Sequence, residues 1–279
     1  MSTIYIADTG NNRFVVIRPG SINATSTGGS LGSTFNRLNS PTDIFVAGAF
    51  IYILDALNYR VQRWARNGTN TTTVAGINGS LGNSTSTSTF GYSCSIYLDK
   101  YGNLYVSDQS NHRVLRYPAG STSGTSGVRV AGTGTAGSAP SQLNTPNKVF
   151  VDGNRAVYIA DTFNHRIQQW TYGACSGVTV AGTGTLGATA SELNYPMAVI
   201  VDANQYMYIT DQGNHRIQRW APGACAGECL VGCSGIGGSG SYQLSAPQSV
   251  TFDNQGALYV SDAGNHRVQK FVVLSAIGK

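Results

Sequence analysis

The sequence predicts an all-β protein, a six-bladed β-propeller of four-stranded antiparallel sheets forming a single domain over residues 1–279. Three observations carry that prediction. One residue pattern recurs six times. It recurs at about 50 residues, the length of one propeller blade. Between copies lie four short strand signals and no competing amphipathic helix.

The pattern is an aspartate, an asparagine three positions on and an arginine five positions on. The acids are Asp8, Asp55, Asp108, Asp161, Asp211 and Asp262, and the arginines are Arg13, Arg60, Arg113, Arg166, Arg216 and Arg267. The asparagines are Asn11, Asn58, Asn111, Asn164, Asn214 and Asn265, and successive aspartates lie 47, 53, 53, 50 and 51 residues apart.

Each unit opens with an apolar run led by a proline, as at Pro41, Pro146, Pro196 and Pro247; Ser93 stands in for the proline in the third unit. A turn such as 99–103 leads to an aromatic strand such as 104–107, and the Asp-x-x-Asn-His-Arg turn reverses the chain into a third strand such as 216–220. A fourth strand follows a glycine-rich link, as at 177–181. The strands are short, rich in Val, Ile, Tyr and Trp, and bounded by Gly, Pro, Asn and Asp, which is β-strand chemistry. Unit one starts at its second strand and unit six stops after its third. Either the ends supply irregular substitutes or the sequence is a piece of a longer protein, so the terminal blades are expected to be incomplete and weakest.

Charged residues make up 11% of the chain and 35 residues are glycine, against roughly 25% charge in ordinary soluble domains. Ser, Thr, Gly and Asn supply the polar surface instead, which suits an extracellular or secreted setting. The net charge of +5 is spread along the chain, and six arginines each have an aspartate of their own, so a nucleic-acid partner is not expected. No run of 18 apolar residues spans a membrane. No apolar signal core follows Met1, so any export signal would lie outside this sequence.

Cys225, Cys229 and Cys233 lack the paired spacing and histidines of a zinc site. Four extended residues cover about 13 Å, too far for the roughly 4.4–6.8 Å of a disulfide. A turn between two of them would change that, leaving isolated thiols or one local bridge. Cys94 reads as a small apolar packing residue.

The runs Ile-Ala-Asp-Thr-Phe-Asn-His-Arg-Ile (159–167) and Val-Ser-Asp-Ala-Gly-Asn-His-Arg-Val (260–268), with Leu-Asn-x-Pro at 38–41, 143–146 and 193–196, resemble the NHL repeat family over nearly the whole chain. The resemblance implies a propeller that usually works as a binding platform, some members binding protein and some RNA, with one branch acting as a metal-dependent amidating lyase.

An acid, a histidine and an arginine within one turn invite a catalytic reading, but six copies around a ring serve structure better than one active site. Each aspartate is expected to accept hydrogen bonds in its turn and to pair with its arginine. His112, His165, His215 and His266, the only histidines, sit in separate blades and cannot gather round a metal. A lyase or a calcium-dependent lactonase needs histidines or several acids lining the channel. The first strands instead offer Thr42 and Asp43, Cys94 and Ser95, Asn147 and Lys148, Met197 and Ala198, Gln248 and Ser249. Arg63, Arg116, Arg219 and Lys270 stand beside Trp64, Tyr117, Trp220 and Phe271. That pattern could stack RNA, but it is read as basic stems covering aromatics packed between blades.

The expected function is therefore non-catalytic, with no cofactor and no metal: a monomeric binding or scaffold propeller for a protein or glycan. Its candidate ligand surface is the channel mouth, where the units differ most: Thr42, Asp43, Leu57, Tyr59, Asn147, Lys148, Phe163, Met197 and Gln248. A propeller-type metal-dependent lyase or lactonase is the alternative, and an RNA-binding domain comes third. Asn-x-Ser/Thr sequons at Asn23, Asn67, Asn70, Asn78 and Asn83 mark possible glycosylation. The low-complexity stretch 67–89 is expected to form a mobile outer edge.

Overall fold

The computed structural model describes residues 3–21, 25–66 and 71–272, and within them the chain forms 22 short strands. The first sheet holds β1 (Ile4–Asp8), β2 (Arg13–Ile17) and β3 (Thr25–Gly28). The second holds β4 (Pro41–Ala47), β5 (Phe50–Asp55), β6 (Arg60–Ala65) and β7 (Thr71–Gly76). The third holds β8 (Ser95–Leu98), β9 (Leu104–Asp108), β10 (Arg113–Tyr117) and β11 (Val128–Ala131). The fourth holds β12 (Pro146–Val151), β13 (Val157–Asp161), β14 (Arg166–Trp170) and β15 (Val178–Ala181). The fifth holds β16 (Pro196–Val201), β17 (Met207–Asp211), β18 (Arg216–Trp220) and β19 (Glu228–Val231), and the last β20 (Ser249–Phe252), β21 (Leu258–Asp262) and β22 (Arg267–Phe271). In every sheet, strands adjacent in sequence are adjacent in space.

The expected count of six four-stranded blades is corrected. Six would need 24 strands, and the 22 among the described residues make up four four-stranded sheets and two three-stranded ones. The shortfall lies in the first and last sheets, which hold three strands each among the described residues.

The repeated turn explains why the middle hairpin forms. The register sets Asp8 opposite Arg13, Asp55 opposite Arg60, Asp108 opposite Arg113, Asp211 opposite Arg216 and Asp262 opposite Arg267. Three residues form one 3-10 turn between them. The next residue, Asn12, Tyr59, His112, His165, His215 or His266, takes a left-handed conformation with φ between 49° and 54°. Asn and His accept that region more readily than most side chains. Tyr59 is the exception to the chemistry, not to the geometry.

The described chain divides into two compact units, one of residues 1–157 with 170–177 and one of residues 158–169 with 178–279. In the first unit, Phe14, Leu38, Ile51, Ile53 and Trp64 form one buried cluster; Leu54, Val61, Phe90, Ile96, Val106, Leu115 and Tyr117 form another. Phe45, Tyr97 and Phe150 continue the packing edge to face along β4, β8 and β12, with centroids 5.1 Å apart at each step. In the second unit, Ile217, Leu244, Val250, Leu258, Val260 and Phe271 are buried together.

One local expectation changes, and of the two readings left open for the cysteines the local bridge is the one found. The tract 82–90 is tied down rather than loose. Phe90 is fully buried, and the Arg113 guanidinium donates to the carbonyls of Asn83, Ser84, Ser86 and Thr89. Cys229 and Cys233 are joined, because the turn at Gly232–Gly235 folds β19 back and brings their Cα atoms to 5.7 Å. Cys175 and Cys225 are exposed free thiols and Cys94 is a partly buried one.

Candidate functional site

In the second, third, fifth and last sheets the motif residues form a clasp that holds the sheet to the segment preceding it. In the third sheet, Asp108 accepts from Arg113 Nε at 2.8 Å, from Asn111 Nδ2 at 2.9 Å and from the Gly91 N–H at 2.9 Å. In the fifth, Asp211 accepts from Arg216 at 2.7 Å, Asn214 at 2.8 Å and the Asn194 N–H at 2.7 Å, while Arg216 donates onward to the carbonyls of Ala188, Thr189 and Glu192. Asp55 with Arg60 and Asp262 with Arg267 repeat the arrangement. Asp8 with Arg13 and Asp161 with Arg166 make the same ion pair at 2.7 Å. Burial pushes the Asp108 and Asp211 carboxyls up, against the downward pull of Arg113 at one and of Asn214 at the other. Their lone pairs are committed to the fold, so the six pairs are structural.

Three of the histidines reach the other way, to the segment that follows. His112 Nδ1 accepts the Thr145 N–H at 3.0 Å, His165 Nδ1 the Tyr195 N–H at 3.2 Å and His215 Nδ1 the Ala246 N–H at 3.1 Å; in the first sheet Asn12 Oδ1 does the same for Ser40 at 2.8 Å. An imidazole protonated at Nδ1 cannot accept. Burial lowers His165 below its usual 6.5, against smaller upward pulls from Asp211 and Asp161. With the folded value below the unfolded one, the stability His165 contributes is complete above about pH 6.5 and is lost as pH falls through the lowered value. His165→Asn keeps an acceptor and removes the titration. Urea unfolding is expected to show a shallower loss of stability for this variant than for the parent between about pH 7.5 and 5.

Of the nine candidate ligand residues, the structure brings Thr42, Asp43 and Lys148 together within the first unit. Lys148 Nζ reaches both Asp43 carboxylate oxygens at 2.8 Å, Asp43 also accepts the Ile96 N–H at 2.9 Å, and Thr42 Oγ1 donates to the Ser93 carbonyl at 3.0 Å. The acid of β4 is thus bound to the lysine of β12 across β8, and Asn147 lies beside that lysine. Cys94 is close to this pair, and burial pushes its thiol up to about 12, with the charge of Asp43 adding to the rise. No thiolate nucleophile forms there at neutral pH. Among the described residues, no group of three His, Cys, Asp or Glu side chains converges as a metal site.

Thr42 and Met197 stand where the ladder slips, between Pro41 and Asp43 and between Pro196 and Ala198. Bulges of this kind re-aim a side chain. Leu57 and Tyr59 lie on the turn between β5 and β6, with Leu57 exposed. Gln248 is exposed just ahead of β20.

In the second unit, Phe163 is 53% exposed on its motif turn. Its ring meets Tyr195 at 5.3 Å, and Tyr195 meets His165 at 4.7 Å, both edge to face. Asn194 and Tyr195 come from the Leu-Asn-x-Pro segment, so Tyr195 is a contributor that the motif pattern alone did not mark. Of the sequons, Asn78 and Asn83 are exposed. Asn83 Oδ1 accepts from the Thr85 and Ser86 N–H groups. Asn23, Asn67 and Asn70 lie outside the described residues.

Residues 244–271 match the NHL repeat family model. That stretch, the last sheet, is an NHL repeat, and the fold is a β-propeller of small antiparallel sheets. An auxiliary nutrient binding protein from Bacteroides thetaiotaomicron shares this propeller fold at 14% identity and a TM-score of 0.69, over 96% of this chain and 65% of that one. The chain thus spans just under two thirds of that protein's length. Virginiamycin B lyase from Staphylococcus aureus is similar at 11% identity and a TM-score of 0.56, over 98% of this chain and 81% of the lyase. A chain of a nidogen/laminin complex is similar at 18% identity and a TM-score of 0.59, covering 82% and 75%. At these identities the likeness extends to fold alone. No curated protein matches the propeller in sequence.

Proposed function

We propose that this propeller binds a glycan or protein ligand without chemistry, and that Phe163 with Tyr195 is its anchor. The exposed Phe163 ring carries the reading. A rigid aromatic with few rotatable bonds, already seated on a second ring, offers contact area at low ordering cost. Equivalent turn positions hold Gly10, Ser110, Gly213 and Gly264, so the phenylalanine is not a demand of the repeat. Leu57 is the other apolar exception, and it too is exposed. The patch of Thr42, Asp43, Asn147 and Lys148 in the first unit is a separate polar candidate for contact.

Catalytic readings find less support. The motif acids, Asp43 and the Cys94 thiol are each held in a state or bond that removes them from acid, nucleophile or ligand duty. The nutrient-binding relative supports a binding role, and the Cys229–Cys233 disulfide supports an extracellular setting.

The test is a binding screen of the purified protein on a glycan array and on immobilised extracellular-matrix proteins. Phe163→Ser is expected to weaken the observed interaction at least about tenfold, as loss of an aromatic hot spot does, with an unchanged unfolding midpoint. Binding indifferent to both Phe163→Ser and Leu57→Ser would remove this surface from consideration.

A further inference from the structure

A second site lies in the first unit and is lined by none of the nine candidate ligand residues. Between the third and fourth sheets is a cavity of about 420 Å³ lined by Arg116, Arg129, Arg155, Tyr172 and Trp170, among others. That volume is in the range of small-molecule sites, roughly 300–1,000 Å³. Three guanidinium groups enter it and no aspartate or glutamate does.

The charges are held in place. Arg155 stacks on the Tyr172 ring at 3.7 Å and reaches Tyr101 at 5.5 Å, and Arg116 lies 5.4 Å from Tyr172. Arg129 donates to the Thr133 carbonyl at 2.6 Å. None of the three arginines is in an ion pair among the described residues, though each motif arginine is.

The repeat supplies an internal control. In the fifth sheet, the residue equivalent to Arg116 is Arg219, which faces Glu228 in register and pairs with it at 2.7 Å. In the last sheet Lys270 pairs with Asp253 at 3.3 Å. In the third sheet the residue facing Arg116 is Val128. Arg63 of the second sheet likewise faces a neutral residue, Thr72, so what sets the third sheet apart is the second and third arginine that join Arg116 in the cavity. The local field favours negative charge: a hydrogen bond from Arg116, then the charges of Arg116 and Arg155, hold the Tyr172 hydroxyl below its ordinary value.

We propose that this cavity binds a small ligand through an oxoanion, a carboxylate, sulfate or phosphate carried on a ring of about the size of a sugar. Arg116 and Arg155 grip the oxygens with forked N–H donors, a geometry that guanidinium groups match to such anions. Val128, Val130, Val157 and Trp170 offer the remainder of the ligand an apolar wall. The inference does not rest on the Phe163 surface.

Calorimetric titration at low salt with glucuronate, glucose 6-sulfate, glucose 6-phosphate and neutral glucose tests it and distinguishes the three anions. At least one anionic sugar is expected to bind about tenfold or more tightly than glucose. Arg116→Gln and Arg155→Gln are each expected to remove most of that preference, Arg155→Lys to keep part of it, and Arg219→Gln to leave it unchanged. Thermal melts of the same samples separate loss of the site from loss of the fold. Binding of glucose as strong as that of all three anions, no anion binding at millimolar concentration, or a preference unaffected by Arg116→Gln and Arg155→Gln would overturn the proposal. So would tight binding of a single-stranded oligonucleotide with none of the sugar acids.

Discussion

Arg113→Ala is expected to destabilise the protein by about 3–5 kcal/mol, the cost of removing one partner from a buried ion pair. Arg113 is 1% exposed. Its Nε holds Asp108, and its other nitrogens hold four carbonyls of the tract at 83–89. The alanine leaves a buried carboxylate without its cation and strips donors from a segment rich in Ser, Thr and Asn that has little apolar surface of its own. Urea unfolding should show the midpoint fall, and hydrogen exchange should show residues 82–90 opening ahead of the strands. Arg13→Ala is the control. Its side chain is 42% exposed and contacts Asp8 at 2.7 Å, so the same change should cost about 0–1 kcal/mol. Equal losses at the two positions would contradict the clasp.

Trp220→Ala is expected to cost about 3–5 kcal/mol, as large-to-small changes of buried aromatics do. Trp220 is fully buried, its indole N–H donates to Gln218 Oε1 at 2.7 Å, and Gly227 lies directly against its ring. Truncation opens a cavity and also orphans the buried Gln218 oxygen, which adds a desolvation penalty. Trp220→Phe refills much of the volume without restoring the hydrogen bond. It should fall between alanine and the parent in chemical unfolding. A phenylalanine variant as unstable as the alanine would place the whole effect in the lost hydrogen bond rather than in packing.

The sheets were legible because one pattern, read six times, tells where each hairpin turns. The pairing of Asp with Arg followed from charge and spacing. What lay beyond reach was contact between repeats. Nothing in the string Leu-Asn-Tyr-Pro says that Tyr195 will hydrogen-bond His165 and meet Phe163 thirty residues earlier. Asp43 and Lys148 were both marked as variable, but 105 residues separate them, and only the side-by-side placement of β4, β8 and β12 makes them a pair. The cavity of Arg116, Arg129 and Arg155 was invisible for a different reason. Arg116 was read with its neighbour Tyr117 along the strand. Its significance comes from what lies beside it in space, Arg155 and Tyr172. The hold on 82–90 went unread because composition describes what a tract can bury, not what reaches over to hold it.

The clasp also sets where this chain can be cut. A fragment excised at strand boundaries, such as residues 93–131, would carry Asp108 and Arg113 but lose Gly91 and the carbonyls at 83–89 that complete them, while His112 would lose Thr145. The cooperative module is therefore longer than the sheet it contains and overlaps its neighbours at both ends. Pieces trimmed to the four strands should remain unfolded, whereas pieces that begin about 25 residues upstream of the motif aspartate keep the donors and acceptors that its buried charges require.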